Sequence, residues 1–406
     1  MIVRRIREDE LKRCQELFAV AFESPMGMDQ AALSPMEYVD RIRENPRSRE
    51  DVHWDSHWAA FGDDDSTMLA TFTVIPWEAS FDGHAVGMGG IGGVASLPQY
   101  RRGGAIRACF RAALEDMYAR GMALSYLYPF SNAFYRRFGY ELACDAVRWR
   151  LRLEGMPAAE VPGRWKLCEP GQDLSADIRA VDAPRQRRYN CMVIAGDTEY
   201  LWTGESPFAK KEYTYVYYDG SGAPSAYMTI APQPGRELTC KRFVFNDRQG
   251  FLGLLALLKR LSADHSHARM ALPTDVDLQG LLPEYSFGNV SREVEQQGMA
   301  RVIDAARVLR LARTRGEGAL RVRIADDFIP ANDGTFEVAF APGRENAVRR
   351  TDAAPDVELT VQDFTRLILG CCALDPEWLP GVKLHCPLED AQKLFYKKPA
   401  FISQYF

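Results

Sequence analysis

Residues 90 to 107 read Gly-Ile-Gly-Gly-Val-Ala-Ser-Leu-Pro-Gln-Tyr-Arg-Arg-Gly-Gly-Ala-Ile-Arg, an apolar strand running into a basic, glycine-rich turn that opens a helix. That succession makes a seat for a phosphate. The first amides of a helix lack intrahelical acceptors and point outward, the macrodipole adds partial positive charge there, and Arg101 and Arg102 add full charges beside it. Gly103 and Gly104 let a ligand approach the backbone closely, and Ala105 to Leu114 has helical periodicity. The competing reading is a solvated loop between a core strand and a surface helix. The turn lacks the Gly-Lys-Ser/Thr ending of a nucleoside-triphosphate loop, and Gly-x-Gly-x-x-Gly is absent, so nucleotide and dinucleotide readings fall behind.

Downstream, Ala123 to Tyr128 reads as a short apolar strand, and Ser131-Asn132-Ala133-Phe134-Tyr135-Arg136-Arg137-Phe138-Gly139-Tyr140 follows. The pair of segments resembles the GNAT superfamily of acyl-CoA-dependent N-acyltransferases. In that superfamily an Arg/Gln-x-x-Gly-x-Gly/Ala loop after the fourth strand holds the CoA pyrophosphate, and Phe-Tyr-x-x-x-Gly-Phe/Tyr follows the fifth. Arg101 and Gly104 fill the first two loop positions, while Ile106 stands where the pattern has Gly or Ala. The variant Arg-Arg-x-Gly-x-x-Arg, met here as Arg101, Arg102, Gly104 and Arg107, resembles the Eis (enhanced intracellular survival) family, whose chains have about this length.

The 406 residues suggest two to four domains. With 47% hydrophobic and 26% charged residues the composition is globular, and a net charge of -5 gives no general pull toward nucleic acid. Met-Ile-Val-Arg-Arg-Ile-Arg-Glu has no apolar signal core, and no run of about 18 apolar residues offers a membrane span, so a cytoplasmic protein is expected. Nine cysteines without a Cys-x-x-Cys fit neither a disulfide framework nor a zinc knuckle. Cys371-Cys372 read as buried thiols rather than a redox pair. His265-x-His267 has no accompanying ligand cluster, so no metal is expected.

The order of elements in residues 1–155 is strand (Ile2 to Ile6), helix (Glu8 to Phe22), helix (Met36 to Arg43) and strands through Trp58 to Phe61, Met68 to Glu78 and His84 to Ser96. The helix after Gly104, the strand at Ala123, a short helix from Asn132 to Phe138 and a closing strand from Tyr140 to Leu153 complete it. A Pro- and Gly-rich linker, Gly155 to Gly163, marks a boundary. Residues 156–295 repeat the grammar: strands at Glu212 to Tyr218, Ser225 to Ala231 and Glu237 to Phe245, an amphipathic helix from Arg248 to Leu261, and a strand at Arg269 to Leu272. There Asn246-Asp247-Arg248-Gln249-Gly250 replaces the basic loop, so CoA binding is not expected. Residues 296–406 begin with Met299 to Leu311, continue through alternating Ala319 to Ala325 and Thr335 to Ala341, and include Leu359 to Leu369 as a helix. The resemblance implies an α+β (mixed α/β) protein: tandem GNAT domains, the second degenerate, followed by a sterol-carrier-protein-like domain.

The same resemblance implies the chemistry. Acetyl-CoA is the co-substrate, bound by Val94, Ala95, Ser96, Arg101, Arg102, Gly103, Gly104, Ala105, Ile106 and Asn132, with a backbone amide of Val94 to Ser96 donating to the thioester oxygen. Tyr135 takes the position of the general acid; a phenol of ordinary pKa about 10 stays protonated at neutral pH and can protonate a leaving thiolate. On pattern alone Tyr135 is equally an aromatic packing residue among Phe134, Phe138 and Tyr140. The base implied is the C-terminal carboxylate, here that of Phe406, at the end of a run (Phe395-Tyr396-Lys-Lys-Pro-Ala-Phe401-Ile-Ser-Gln-Tyr405-Phe406) too aromatic for a solvated tail. A packed terminus that faces solvent is the alternative. Phe22 and Glu23 are implied to line the amine pocket. The expected activity is N-acetylation of a small-molecule or lysine-borne primary amine (lysine, polyamine or aminoglycoside class) by a homo-oligomer, hexameric by resemblance. The alternatives are another acyl or aminoacyl donor, and a lipid-binding protein with a vestigial acyltransferase domain.

Overall fold

A computed structural model describes residues 1–24, 26–44, 54–156, 160–196, 207–282 and 288–403. Three mixed sheets carry the molecule. The first runs Ile2–Arg5, His57–Phe61, Met68–Phe81, His84–Ser96, Leu124–Leu127, Met299–Val302, Glu141–Leu142, with Val193–Ile194 pairing beside Met68–Phe81. The second runs Val290–Gln296, Asp145–Arg152, His267–Pro273, Glu237–Phe245, Pro224–Gln233, Tyr213–Tyr218, Arg164–Leu167. Gly318–Ala325 and Val357–Thr360 form the parallel centre of the third.

Each of the first two sheets holds one parallel pair joined by a helix. In the first, His84–Ser96 and Leu124–Leu127 are bridged by Ala105–Ala119, whose buried face of Ala105, Cys109, Phe110, Ala113, Leu114 and Met117 follows helical spacing. In the second, Glu237–Phe245 and His267–Pro273 are bridged by Arg248–Arg260, with Phe251, Leu254, Leu255 and Leu258 inside.

Strand pairing crosses the cuts drawn at 155 and 295. The single closing strand expected from Tyr140 to Leu153 is two strands. Glu141–Leu142 ends the first sheet, and after Ala143 and Cys144 the strand Asp145–Arg152 enters the second, burying Trp149 and Leu151 in that core. Met299–Val302, assigned by composition to the third unit, is buried at all four positions between Leu124–Leu127 and Glu141–Leu142. Periodicity identifies a strand but not its neighbours.

The third unit is welded to the first. Arg301 on the inserted strand meets Asp326 at 2.7 and 2.8 Å with both side chains sealed from solvent. Thr365, on the helix Val361–Leu369, accepts from Val302 N at 3.0 Å. The chain then returns: Lys398 Nζ lies 2.6 Å from Asp82, Asn190 N donates to Pro399 O at 2.8 Å, Phe401 N to Asn190 O at 2.9 Å, and Val193 N to Ser403 Oγ at 3.2 Å. The C-terminal run is docked through Ser403.

Candidate active site

The parallel strands of the first sheet pair only from Met88 to Ile91 against Leu124 to Leu127. Beyond Ile91 they part. His84–Ser96 continues along Met68–Phe81 through a bulge in which Gly93 and Val94 oppose Phe72. Gly93 sits at φ +61, and a Cβ there would meet the Phe18 ring at 2.7 Å, so glycine is required twice over. The turn delivers the chain to Ala105–Ala119 through Gly104 at φ +81, with no side chain capping the helix and open space where a Cβ would stand. Its first amides are therefore left for a ligand.

A cleft of about 720 Å³ lies along this turn, walled by Val94, Ala95, Ser96, Arg101, Arg102, Gly104, Ala105 and Ile106. Gly103 belongs to the turn without reaching the wall. A second cavity of about 530 Å³ opens at the parting strands, walled by Gly92, Gly93, Val94, Asn132 and Tyr135 among others. Phe22, Val94 and Phe130 are walls of both. A third, of about 300 Å³, lies where the first unit, the second unit and the returning C-terminal run meet, and it shares Tyr128 and Gln297 with the second. Each opening thus shares wall residues with the next, and Tyr135 lines the middle one.

Tyr135 is 3% exposed on the short helix Asn132–Arg136, whose cap Ser131 accepts from Phe134 N at 3.4 Å. Its ring packs edge-on against Phe130 and Phe134, centroids 5.4 and 5.1 Å away. Burial, with Tyr140 nearby, pushes its phenol above the usual value. Tyr135 is therefore packed as an aromatic and holds its phenolic proton more tightly than a free tyrosine.

Of the residues singled out by sequence, Phe22 is a wall of two cavities, while Glu23, exposed at φ +52, is not among the walls of the three. Phe406 lies outside the described residues. Phe130, Tyr128, Arg137 and Gln297 also line the openings and were not anticipated. Phe130, 72% exposed beside the Phe-Tyr motif, carried a signal; Gln297, more than a hundred residues away in sequence, carried none. Cys371 and Cys372 are free thiols, half-buried rather than buried, each with its pKa raised by burial. No helix among the described residues is long and apolar enough to cross a membrane.

Residues 2–143 match the acetyltransferase (GNAT) domain and residues 302–378 the sterol carrier protein domain. The chain thus carries an acetyltransferase (GNAT) domain near its start and a sterol carrier protein domain near its end. Over its whole length its fold is similar to that of several solved structures. A probable N-acyltransferase from Enterococcus faecalis V583 superposes with TM-score 0.85 at 22% identity, covering 100% of this chain and 99% of that one. The GCN5-related N-acetyltransferase of Anabaena variabilis gives 0.82 at 16%, covering 100% of both chains. Eis1 of Mycobacterium abscessus gives 0.79 at 18%, again with 100% of both covered. No curated protein matches the chain in sequence.

Proposed function

We propose that the enzyme transfers acetyl from acetyl-CoA to a primary amine of the lysine, polyamine or aminoglycoside class, directly, in a ternary complex. The observation that carries this reading is the set of shared walls: the cavity lined by Tyr135 borders the basic cleft through Phe22, Val94 and Phe130, and the chamber between units through Tyr128 and Gln297.

The residues present suit the co-substrate. The uncapped helix at Gly104, with Arg101 and Arg102 beside it, offers amides and charge to a pyrophosphate, and the parted strand edge at Gly92 to Ser96 offers backbone to an extended amide arm. When bound, acetyl-CoA supplies a thioester whose carbon–sulfur bond breaks as the carbon–nitrogen bond to the amine forms. A backbone amide of Val94 to Ser96 donates to the carbonyl oxygen as charge gathers there. Tyr135 gives its phenolic proton to the departing sulfur. The carboxylate of Phe406 takes, through water, the proton the amine sheds. The assembly is a cytoplasmic homo-oligomer, read as a hexamer; a monomer mass by light scattering would remove that part alone.

The test is CoA release with acetyl-CoA against lysine, polyamines and aminoglycosides, using wild type, Tyr135→Phe and a chain extended by one glycine after Phe406. Tyr135→Phe is expected to lower kcat by about 100-fold or more with the KM for acetyl-CoA little changed. A variant keeping half of wild-type kcat would leave Tyr135 with packing alone, and a fully active extended chain would move the base elsewhere.

A further inference from the structure

Three cationic side chains are more than nine-tenths buried among the described residues: Arg185, Arg301 and Lys398. Arg301 has Asp326 and Lys398 has Asp82, as burial of a charge demands. Arg185, 6% exposed, has no carboxylate within ion-pair distance among the described residues. Its Nε finds no acceptor there either. The guanidinium makes a long 3.4 Å hydrogen bond to Phe245 O and lies 5.3 Å from the Tyr189 ring centre. A desolvated guanidinium with unused donors is a site awaiting an anion.

Arg185 lines the chamber that shares Tyr128 and Gln297 with the Tyr135 cavity. The chamber forms where the parallel strands of the second sheet stop pairing, after Cys240 and Met270, so that Arg242 and Ala271 become wall. Among the described residues of its lining, the charged side chains are Arg185, Arg242, Lys241 and Asp182, the last one turn before Arg185 on the helix Ser175–Arg188 and 2.9 Å from Tyr227 Oη.

We infer that Arg185 anchors a carboxylate on the acceptor, so that the amine acetylated belongs to an amino-acid-like molecule and not to a polyamine or aminoglycoside. The inference rests on the acetyltransferase reading above. Its chemistry is recognition only: the fork of N–H donors takes both carboxylate oxygens and leaves the amine end toward Tyr135.

Matched amines with and without a carboxylate test it. Lysine against pentane-1,5-diamine, and 6-aminohexanoate against hexylamine, are compared by kcat/KM for wild type, Arg185→Gln and Arg185→Lys. Wild type is expected to favour the carboxylate-bearing partner by roughly tenfold or more, since a buried donor left unpaired penalises the analogue that lacks its acceptor. Arg185→Gln erases the preference, Arg185→Lys restores part of it, and the KM for acetyl-CoA stays put. Equal or better turnover of the diamine overturns the inference using wild type alone, even if the variants do not fold; so does a preference that survives Arg185→Gln. Calorimetric binding of 6-aminohexanoate in the presence of CoA separates the two readings. Binding that Arg185→Gln abolishes, without turnover of any amine, keeps the anion site and removes the acetyltransfer; turnover of diamines without binding of carboxylates does the reverse.

Discussion

The two acyltransferase-like units share one plan, a parallel pair that parts at its end and a helix that starts beside the gap, yet they treat the helix start in opposite ways. In the first, Gly104 leaves the amides of Ala105–Ala119 uncapped and open, flanked by arginines. In the second, Asp247 caps Arg248–Arg260, its carboxylate accepting from Gly250 N at 2.7 Å, and a Cβ on Gly250 would strike Ser225 O at 2.9 Å. The second unit has supplied its own anion and closed the approach. Its strand gap survives as the chamber wall.

The largest effect expected concerns how separable the units are. Residues 1–155 expressed alone lack Met299–Val302 from between Leu124–Leu127 and Glu141–Leu142 and strand Asp145–Arg152 away from its partners. That fragment should aggregate or show no cooperative melting, whereas the full chain melts as a folded protein. A soluble, cooperatively folded fragment would break the exchange of strands as a stability requirement.

Next comes a transplant of the cap. Gly104→Asp places a carboxylate where the first unit presents free amides and forces a side chain into φ +81. Losing charge-assisted hydrogen bonds worth about 2 kcal/mol should raise the KM for acetyl-CoA by tenfold or more. The reciprocal Asp247→Ala removes a cap worth about 1 kcal/mol of stability by chemical denaturation and leaves that KM unchanged. An acetyl-CoA site that ignores Gly104→Asp would erase the contrast between the helix starts.

The smallest effect is a null one on the pH axis. Burial raises the Tyr135 phenol, so its proton-bearing form, the donor, persists above the ordinary tyrosine value of about 10. kcat should therefore not fall between pH 8 and 10; a fall centred near 9 that disappears in Tyr135→Phe would contradict the buried-acid assignment.

Much of the cleft beside Gly104 was legible in sequence because it is local. Strand, turn, helix and the Phe-Tyr segment lie within fifty residues, and spacing in such a stretch fixes which backbone amides and rings come together. Gly104 and Tyr135 are read that way. Asp247 was likewise visible as an acidic substitute in the second loop. Glu23 was carried over by resemblance to the amine pocket and stands apart from the three openings, because a turn at φ +52 sends it to solvent.

What the sequence determined by itself was the grammar of elements and the chemistry of the first loop, because capping, periodicity and glycine's freedom act over a few residues. Only the tertiary structure decided which strand completes which sheet. It also decided that Tyr128, Gln297 and Ile402, from widely spaced segments, wall one chamber, and that Arg185 is buried there with no carboxylate at ion-pair distance among the described residues. Those outcomes depend on long-range pairing and on exclusion of water, and no local pattern of residues encodes whether a charge will find its partner after burial.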